Sequence, residues 1–141
     1  MKIGIGSDHG GFVLKAQIIA HLNREGFEVV DVGNHGESSV DYPDYADKLC
    51  EAIAAGDFER GILICGTGIG MSMAANRYRH IRAALCYESF SARMSREHNN
   101  ANVLCLGGRV LGVELAKDIV HTWLHAEFAG GRHQNRIERF C

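Results

Sequence analysis

The sequence predicts a doubly wound α/β domain, because short apolar segments alternate with amphipathic helical segments along the whole chain. The connections between these segments are short, which favours a parallel sheet covered by helices on both faces. A chain of 141 residues is long enough to bury the core of one such domain. We therefore expect a single Rossmann-like domain over residues 1–141, with five parallel strands in the flavodoxin-like order 2-1-3-4-5.

The predicted strands are short runs rich in Val, Ile, Leu and Cys. They cover residues 2–6, 27–32, 62–65, 83–86 and 103–106. The predicted helices lie between and after them, at residues 12–25, 45–55, 69–78, 89–97 and 113–124. Gly26 and Gly56 follow the first two helices, as glycine commonly does at a helix C-terminus.

The composition is that of an ordinary globular protein, with 46% hydrophobic and 23% charged residues. A net charge of −2 gives no reason to expect a nucleic-acid or membrane partner. No apolar run is long enough to span a bilayer, and no secretory leader is apparent at the N-terminus. The five cysteines form no CxxC pair, which argues against both disulfides and structural zinc. A reducing cytoplasm is the expected location.

The segment at residues 61–76, GILICGTGIGMSMAAN, carries the strongest chemical signal. An apolar strand ends at Cys65, and glycines then alternate through the start of a helical pattern. Glycines let backbone approach a ligand closely, and the N–H groups at a helix start are unpaired. The pattern therefore predicts an anion-binding loop beside a thiol.

Polar residues also follow the first strand, at Asp8 and His9. In an open parallel sheet, ligands bind beyond the carboxyl ends of the strands, near the point where the strand order reverses. If the first and third strands are neighbours, Asp8, His9, Cys65 and Thr67 share one pocket.

Two further segments are rich in functional groups. Residues 95–100, SREHNN, precede the fifth strand, and residues 130–136, GGRHQNR, lie near the C-terminus. Arg132 and Arg136 are four residues apart, so on a helical turn they would share a face. That spacing suits recognition of a phosphate or a carboxylate.

Each of these residues also has a purely structural interpretation. A lone cysteine at a strand end is usually a small core residue, although the glycine loop beside Cys65 favours chemistry. Asp8 could cap the first helix. His98 could interact with the C-terminal dipole of a helix. Arg132 and Arg136 could be solvated side chains of a tail.

Other motifs favour structure over chemistry. His121 and His125 have a spacing that zinc could use, but no third ligand is evident, so a surface helix is preferred. Asp31 resembles the ribose-binding acid of a dinucleotide fold. However, Asp8 and His9 occupy the loop where a pyrophosphate would need bare backbone, which disfavours a nicotinamide enzyme. The remaining cysteines in apolar patterns are expected in the core: Cys50, Cys86 and Cys105.

Five ordered motifs resemble those of type B ribose-5-phosphate isomerase, nearly from end to end. They are SDHGG (7–11), DYPDYA (41–46), GILICGTGIGMSMAAN (61–76), SREHNNANVLCLGGRV (95–110) and GGRHQNR (130–136). The wider family includes allose-6-phosphate isomerase and the galactose-6-phosphate isomerase subunits. The resemblance implies a Rossmann-like homodimer or dimer of dimers. It also implies that ribose 5-phosphate and ribulose 5-phosphate are interconverted without a metal or cofactor.

The resemblance also implies a role for each motif residue. Cys65 is expected to act as the base that moves a proton between C2 and C1 through a cis-enediolate, assisted by Thr67. His98 is expected to open the furanose ring. The backbone of three glycines would hold the enediolate oxygen: Gly66, Gly68 and Gly70. Sugar contacts are expected from Asp8, Tyr42 and Asn99. Phosphate contacts are expected from His9, Arg109, Arg132 and Arg136.

The family pattern distinguishes two catalytic types. Some members use a glutamate after the glycine loop, and Met71 occupies that position here, so this chain resembles the cysteine type. The resemblance also implies that the C-terminal tail, about residues 126–141, packs on the dimer partner. It would bring His98, Asn99 and the tail arginines to the partner's Cys65 loop.

Two alternatives remain open at the level of sequence. The substrate could be a six-carbon sugar phosphate, because sequence alone does not give the depth of the pocket. More remotely, the same scaffold could be a non-catalytic sugar-phosphate or nucleotide sensor. A sensor would keep the glycine loop and the arginines but would not need Cys65 or His98.

Overall fold

The computed structural model describes all 141 residues, and it has one sheet of five parallel strands. The strands are β1 Lys2–Ser7, β2 Glu28–Gly33, β3 Arg60–Cys65, β4 Ala83–Leu85 and β5 Val103–Gly107. The helices are α1 Phe12–Arg24, α2 Tyr42–Ala55, α3 Ile69–Ala75, α4 Ser89–Glu97, α5 Val113–His125 and α6 Arg132–Ile137. None of these helices has the length and apolar character needed to cross a membrane.

The strand order is β2-β1-β3-β5-β4. The doubly wound α/β class is confirmed, but the predicted order 2-1-3-4-5 is wrong in its last two strands. Every residue of β5 is buried, whereas β4 has only three residues, all of them half-buried. A strand with neighbours on both sides and helices on both faces must be apolar throughout. The longer apolar strand β5 therefore pairs with β3, and the short strand β4 forms the edge.

Some helix boundaries also differ from the predicted ones. Helix α2 begins at Tyr42, three residues earlier than expected, with Pro43 in its first turn. Proline is tolerated there because the N–H that it lacks would have no helical partner. Helix α3 ends at Ala75, three residues earlier than expected. The short helix α6, which contains Arg132 and Arg136, was foreseen only as a possible helical turn.

The sheet separates two hydrophobic clusters, and alternate residues of β3 belong to opposite ones. Ile62 and Ile64 belong to the cluster formed with α1, α4 and α5, which includes the fully buried Trp123. Leu63 and Cys65 belong to the cluster formed with α2 and α3. Because successive strand residues point to opposite faces, the last residue of β3 places its thiol on the α2–α3 side.

A buried lysine ties α1 to the end of β2. Lys15 is fully buried, pairs with Asp31 Oδ1 at 2.8 Å and donates a second hydrogen bond to the Asn34 carbonyl. The same Asp31 oxygen accepts the Gly33 N–H at 2.9 Å. Asp31 therefore links α1 to the end of β2. This structural role accounts for an acid at the position where a dinucleotide fold has its ribose-binding residue.

Replacing Lys15 with methionine should lower the free energy of unfolding by about 2 kcal/mol, because the Asn34 carbonyl loses its charged donor and Asp31 loses its cation. Denaturant unfolding measures this change. Lys117→Met is the matched control, since Lys117 forms only a surface ion pair with Glu114 at 3.4 Å. Equal effects of the two substitutions would contradict the structural role of Lys15.

Candidate active site

The carboxyl ends of β1, β3 and β5 meet at one edge of the sheet, where backbone hydrogen bonds join the loops that follow them. The Asp8 N–H donates to the Ile64 carbonyl at 3.2 Å. On the other side, the Gly108 N–H donates to Cys65 O at 2.8 Å and the Arg109 N–H donates to Gly66 O at 3.0 Å. Arg109 thus reaches the glycine loop because β5, and not β4, is the neighbour of β3.

A cleft of about 460 Å³ opens at this meeting point. It is lined by Asp8, Tyr42, Cys65, Gly66, Thr67, Ile69, Gly70 and Met73. Six of these residues were predicted from sequence, and the exposed residues Ile69 and Met73 were not. The only sequence signal for them was their position in the helical segment directly after the glycine loop.

The Cys65 thiol is the most buried reactive group in the cleft, with 4% of the residue exposed. Its Sγ accepts the Gly68 N–H at 3.1 Å. A backbone donor aimed at sulfur stabilises negative charge there. The next hydroxyl along the loop, Thr67 Oγ1, accepts the Ile69 N–H at 3.2 Å, which leaves the Thr67 hydroxyl proton free to donate.

Four further backbone N–H groups of the loop and helix start donate no hydrogen bond within the chain. They belong to Gly66, Thr67, Gly70 and Met71. Three of these four residues line the cleft. Backbone donors without partners, held together beside a cleft, can bind an anion or a developing oxyanion.

Two of the loop glycines are required by geometry. Gly68 has φ +84°, in the left-handed region, and a Cβ there would lie 2.9 Å from the carbonyl of Leu106. At Gly70, a Cβ would lie 2.6 Å from the ring of Tyr42. The absence of a side chain at position 70 therefore lets the Tyr42 ring lie over the helix start and close one side of the cleft.

Asp8 is 6% exposed and shapes the loop after β1. Its Oδ1 accepts the N–H groups of Gly10 at 2.9 Å and Gly11 at 3.2 Å. Helix α1 has Gly11 as its N-cap residue, so Asp8 stabilises a turn before the helix and is not the helix cap considered above. The second oxygen, Oδ2, has no partner within the chain, which leaves it able to accept from a sugar hydroxyl.

His9 is oriented by the segment between β2 and α2. Its Nδ1 accepts the Val40 N–H at 3.2 Å. This bond places the proton of the neutral imidazole on Nε2, which makes Nε2–H a donor. Arg109 is exposed, and its guanidinium lies against Gly66. A Cβ built at Gly66 would be only 3.4 Å from Nη1 of Arg109.

The remaining predicted residues lie outside this cleft. His98 ends helix α4, and its ring stacks on that of His133 with centroids 4.2 Å apart. Helix α6 presents Arg132 and Arg136 beside this pair, and both arginines are exposed. Asn99 lines a separate cavity of about 470 Å³. One copy of the chain therefore divides the predicted site residues into two groups.

The tail that carries α6 packs on its own chain. The Ala129 N–H donates to the Glu97 carbonyl at 2.9 Å, and Ile137 is buried. Phe140 lines the cavity that also contains Asn99. These contacts fix the position of the tail arginines relative to His98.

A buried arginine, which the sequence analysis missed, builds the turn that carries His98 and Asn99. Arg96 Nη1 donates to Asn100 Oδ1 at 2.9 Å and to the Ala101 carbonyl at 2.6 Å. Burial, together with two nearby arginines, lowers the pKa of the Arg96 side chain to about 10. A single arginine within a polar run gives no sequence signal of burial.

The three cysteines that were expected in the core are buried, as predicted: Cys50, Cys86 and Cys105. Burial is the main cause that raises the pKa of Cys50 to about 12 and that of Cys86 to about 11. Burial also raises the pKa of Cys105 well above the usual range of a thiol. These three thiols are therefore unreactive, and only Cys65 combines a cleft with a hydrogen-bond donor to sulfur.

No group of three or more His, Cys, Asp or Glu side chains is arranged to hold a metal ion. The rings of His121 and His125 stack with centroids 4.1 Å apart. His125 Nδ1 lies 2.8 Å from the His121 carbonyl oxygen. That nitrogen is engaged with the backbone, in agreement with the surface helix preferred for this pair.

The sequence pattern of the ribose/galactose isomerase family matches residues 3–140. The chain belongs to this family. Ribose-5-phosphate isomerase B of Escherichia coli is 53% identical, over 97% of this chain and 92% of that protein. The solved structure of ribose-5-phosphate isomerase B from Clostridium thermocellum is 60% identical and superposes with a TM-score of 0.97, over 99% of this chain and 94% of that one.

Members of the family differ in substrate. D-Erythrulose-4-phosphate isomerase of Pectobacterium atrosepticum is 45% identical, over 99% of this chain and 92% of that protein. Family membership therefore places the chain among aldose–ketose isomerases of sugar phosphates, while the length of the sugar is a separate question.

Protonation of His133 should be disfavoured in the folded protein. Partial burial lowers its pKa, and the nearby His98, Arg132 and Arg136 lower it further. The unfolded chain, with a histidine pKa of about 6.5, then takes up this proton first as the pH falls. The free energy of unfolding is therefore unaffected by His133 above about pH 6.5. It decreases as the pH falls from there through the lowered pKa of the folded state.

A histidine titration followed by NMR tests this expectation. His133 should titrate below the usual histidine range, and Arg136→Gln should move its midpoint upward. Arg139→Gln is the matched control, because Arg139 is not among the groups that lower the His133 pKa. A midpoint that Arg136→Gln leaves unchanged would contradict the electrostatic coupling.

Proposed function

We propose that this protein interconverts ribose 5-phosphate and ribulose 5-phosphate, with Cys65 as the proton-transfer base. The observation that carries the proposal is the position of Cys65 Sγ. It lies in a cleft and accepts the Gly68 N–H, and the loop that follows it carries four backbone N–H groups without a partner in the chain. The 53% identity to a ribose-5-phosphate isomerase B supports the choice of substrate.

The reaction needs a base beside C2 of the open-chain aldose and a group that stabilises the oxygen at C1. Cys65 takes the proton from C2, giving a cis-enediolate, and returns it to C1 to form the ketose. The first transfer leaves negative charge on O1, the former carbonyl oxygen. A proton then passes from O2 to O1, and the return of the carbon proton to C1 turns O2 into the ketose carbonyl. The free N–H groups of Gly66, Thr67, Gly70 and Met71 can stabilise this charge without reorganising.

Other cleft residues position the substrate. The Thr67 hydroxyl, which is free to donate, assists proton exchange between the sugar oxygens. Asp8 Oδ2 and the Tyr42 hydroxyl contact sugar hydroxyls. The Nε2–H of His9 and the guanidinium of Arg109 contribute contacts to the phosphate.

The second group of residues completes the site from another copy of the chain. His98, Asn99, Arg132 and Arg136 are exposed and lie outside the cleft of their own chain. We propose a homodimer, or a dimer of such dimers, in which His98 opens the furanose ring in the partner's cleft. In this arrangement Asn99 contacts the sugar and the two arginines bind the phosphate. The tail at about residues 126–141, which Ile137 anchors on its own chain, also packs on the partner through its exposed side.

We also propose that the chain forms one isomerase domain over residues 1–141, acts in the cytoplasm and needs no metal or cofactor. Proton transfer within one sugar requires no redox group, and a thiol base requires a reducing environment. The five free cysteines support that location.

Isomerisation of a sugar phosphate of another chain length is the second candidate function. The candidate substrates are the six-carbon sugar phosphates named above and a four-carbon one, since one relative is a D-erythrulose-4-phosphate isomerase. A non-catalytic sensor is disfavoured by the donor that Gly68 aims at the thiol, because binding alone would not need a stabilised thiolate.

Cys65→Ala should reduce kcat at least about a hundredfold on ribose 5-phosphate with a small change in KM, because the thiol acts in the transition state. A coupled assay for ribulose 5-phosphate measures both constants. Cys141→Ala is the matched control, since Cys141 is exposed and does not line the cleft. Normal turnover by Cys65→Ala would refute the catalytic assignment.

The kcat/KM values of the wild type on four-, five- and six-carbon sugar phosphates decide the substrate.

Mixing Cys65→Ala with Arg132→Ala, under conditions of subunit exchange, should restore activity. If the site is shared, one site of each mixed dimer carries both lesions and the other carries none, which gives about half of wild-type activity per mixed dimer. Mixing Cys65→Ala with Asp8→Ala is the control, because both lesions belong to the same half-site and every site stays defective. Failure of the first mixture despite demonstrated exchange would mean that each subunit builds its own site.

A further inference from the structure

Tyr87, which no motif singled out, contacts the peptide group that stabilises the Cys65 thiol. It follows the edge strand β4, and its hydroxyl donates a hydrogen bond of 2.7 Å to the Thr67 carbonyl. The Thr67 carbonyl and the Gly68 N–H belong to the same peptide unit. At the other end of that unit, the Gly68 N–H donates to Cys65 Sγ at 3.1 Å.

The packing around this peptide leaves its carbonyl open to Tyr87. A Cβ at Gly107 would lie 2.7 Å from Thr67 O, so the absence of a side chain there lets strand β5 pass directly beneath the carbonyl. A Cβ at Gly68 would lie 2.7 Å from Leu85 Cδ1, which fills the space between β4 and the loop. The phenol therefore reaches across the end of β5, and 38% of Tyr87 stays exposed.

We propose that Tyr87 is a positioning residue, which fixes and polarises the Thr67–Gly68 peptide so that its N–H stabilises the Cys65 thiolate. A hydrogen bond accepted by a carbonyl strengthens the bond donated by the N–H of the same peptide, because the two polarise each other. It also holds the peptide plane in the orientation that aims the N–H at sulfur. This inference rests on the proposed role of Cys65 as base.

The test compares Tyr87→Phe with Tyr78→Phe. Tyr78 is the matched control because its hydroxyl also donates one hydrogen bond of 2.7 Å, to Asp47 Oδ1, and it has no contact with the glycine loop. The first readout is the pH dependence of Cys65 alkylation by iodoacetamide, with each cysteine resolved by peptide mass spectrometry. The second is the pH profile of kcat/KM on ribose 5-phosphate.

Tyr87→Phe should slow Cys65 alkylation and isomerisation near pH 7 by about twofold through lost polarisation, and by up to about tenfold where the Gly68 N–H also loses its bond to sulfur. Both rates should recover at higher pH, where the thiolate forms without the lost support. Tyr78→Phe should match the wild type in both measurements. Rates that fall equally at every pH would show a merely structural role for Tyr87 and overturn the proposal, as would profiles identical to the wild type.

A measurement on the peptide itself keeps the proposal testable if Tyr87→Phe is poorly stable. The amide resonance of Gly68 should shift in Tyr87→Phe at temperatures well below unfolding. The reason is that the Thr67 carbonyl of the same peptide loses the hydrogen bond from Tyr87. An unchanged Gly68 resonance would overturn the proposal. Absence of isomerase activity in the wild type would refute the proposed function instead, and the alkylation profiles would still decide whether Tyr87 acts on Cys65.

Discussion

The pairing of β3 with β1 on one side and β5 on the other is the constraint on which the site depends. The ladder does not stop where the strands end, since Asp8 donates to Ile64 and Gly108 donates to Cys65 beyond the regular pairs. These bonds hold three loops at one edge of the sheet within hydrogen-bonding distance. Backbone hydrogen bonds, and not contacts between side chains, therefore bring together the Cys65 thiol, the Asp8 carboxylate and the Arg109 guanidinium.

The glycine loop converts this geometry into chemistry. Glycines at alternate positions allow a left-handed residue at Gly68 and the close approach of Tyr42 to Gly70. The same backbone path leaves four N–H groups without partners and aims a fifth at Cys65 Sγ. Unsatisfied donors are costly when buried, so a cleft that retains them is organised for a ligand that supplies oxygen atoms.

The second half of the predicted site has a different structural logic. His98, Asn99 and the α6 arginines are exposed, yet buried groups support them, because Arg96 holds their turn and Ile137 anchors α6. Cationic and aromatic side chains at a surface can act on a ligand bound in a separate cleft only if another chain brings the ligand to them. The division into two groups is what a shared site between subunits would require.

The sequence by itself determined the alternation of strands and helices, the core positions of three cysteines and the family, because apolar periodicity and ordered motifs are local properties of the chain. Only the tertiary structure decided the strand order, since the choice between β4 and β5 as neighbour of β3 depends on burial over both faces of the sheet. The contacts of Arg109, Lys15 and Tyr87 are likewise tertiary. Their partners lie at least 16 residues away in the chain, and no local pattern encodes an interaction across that separation.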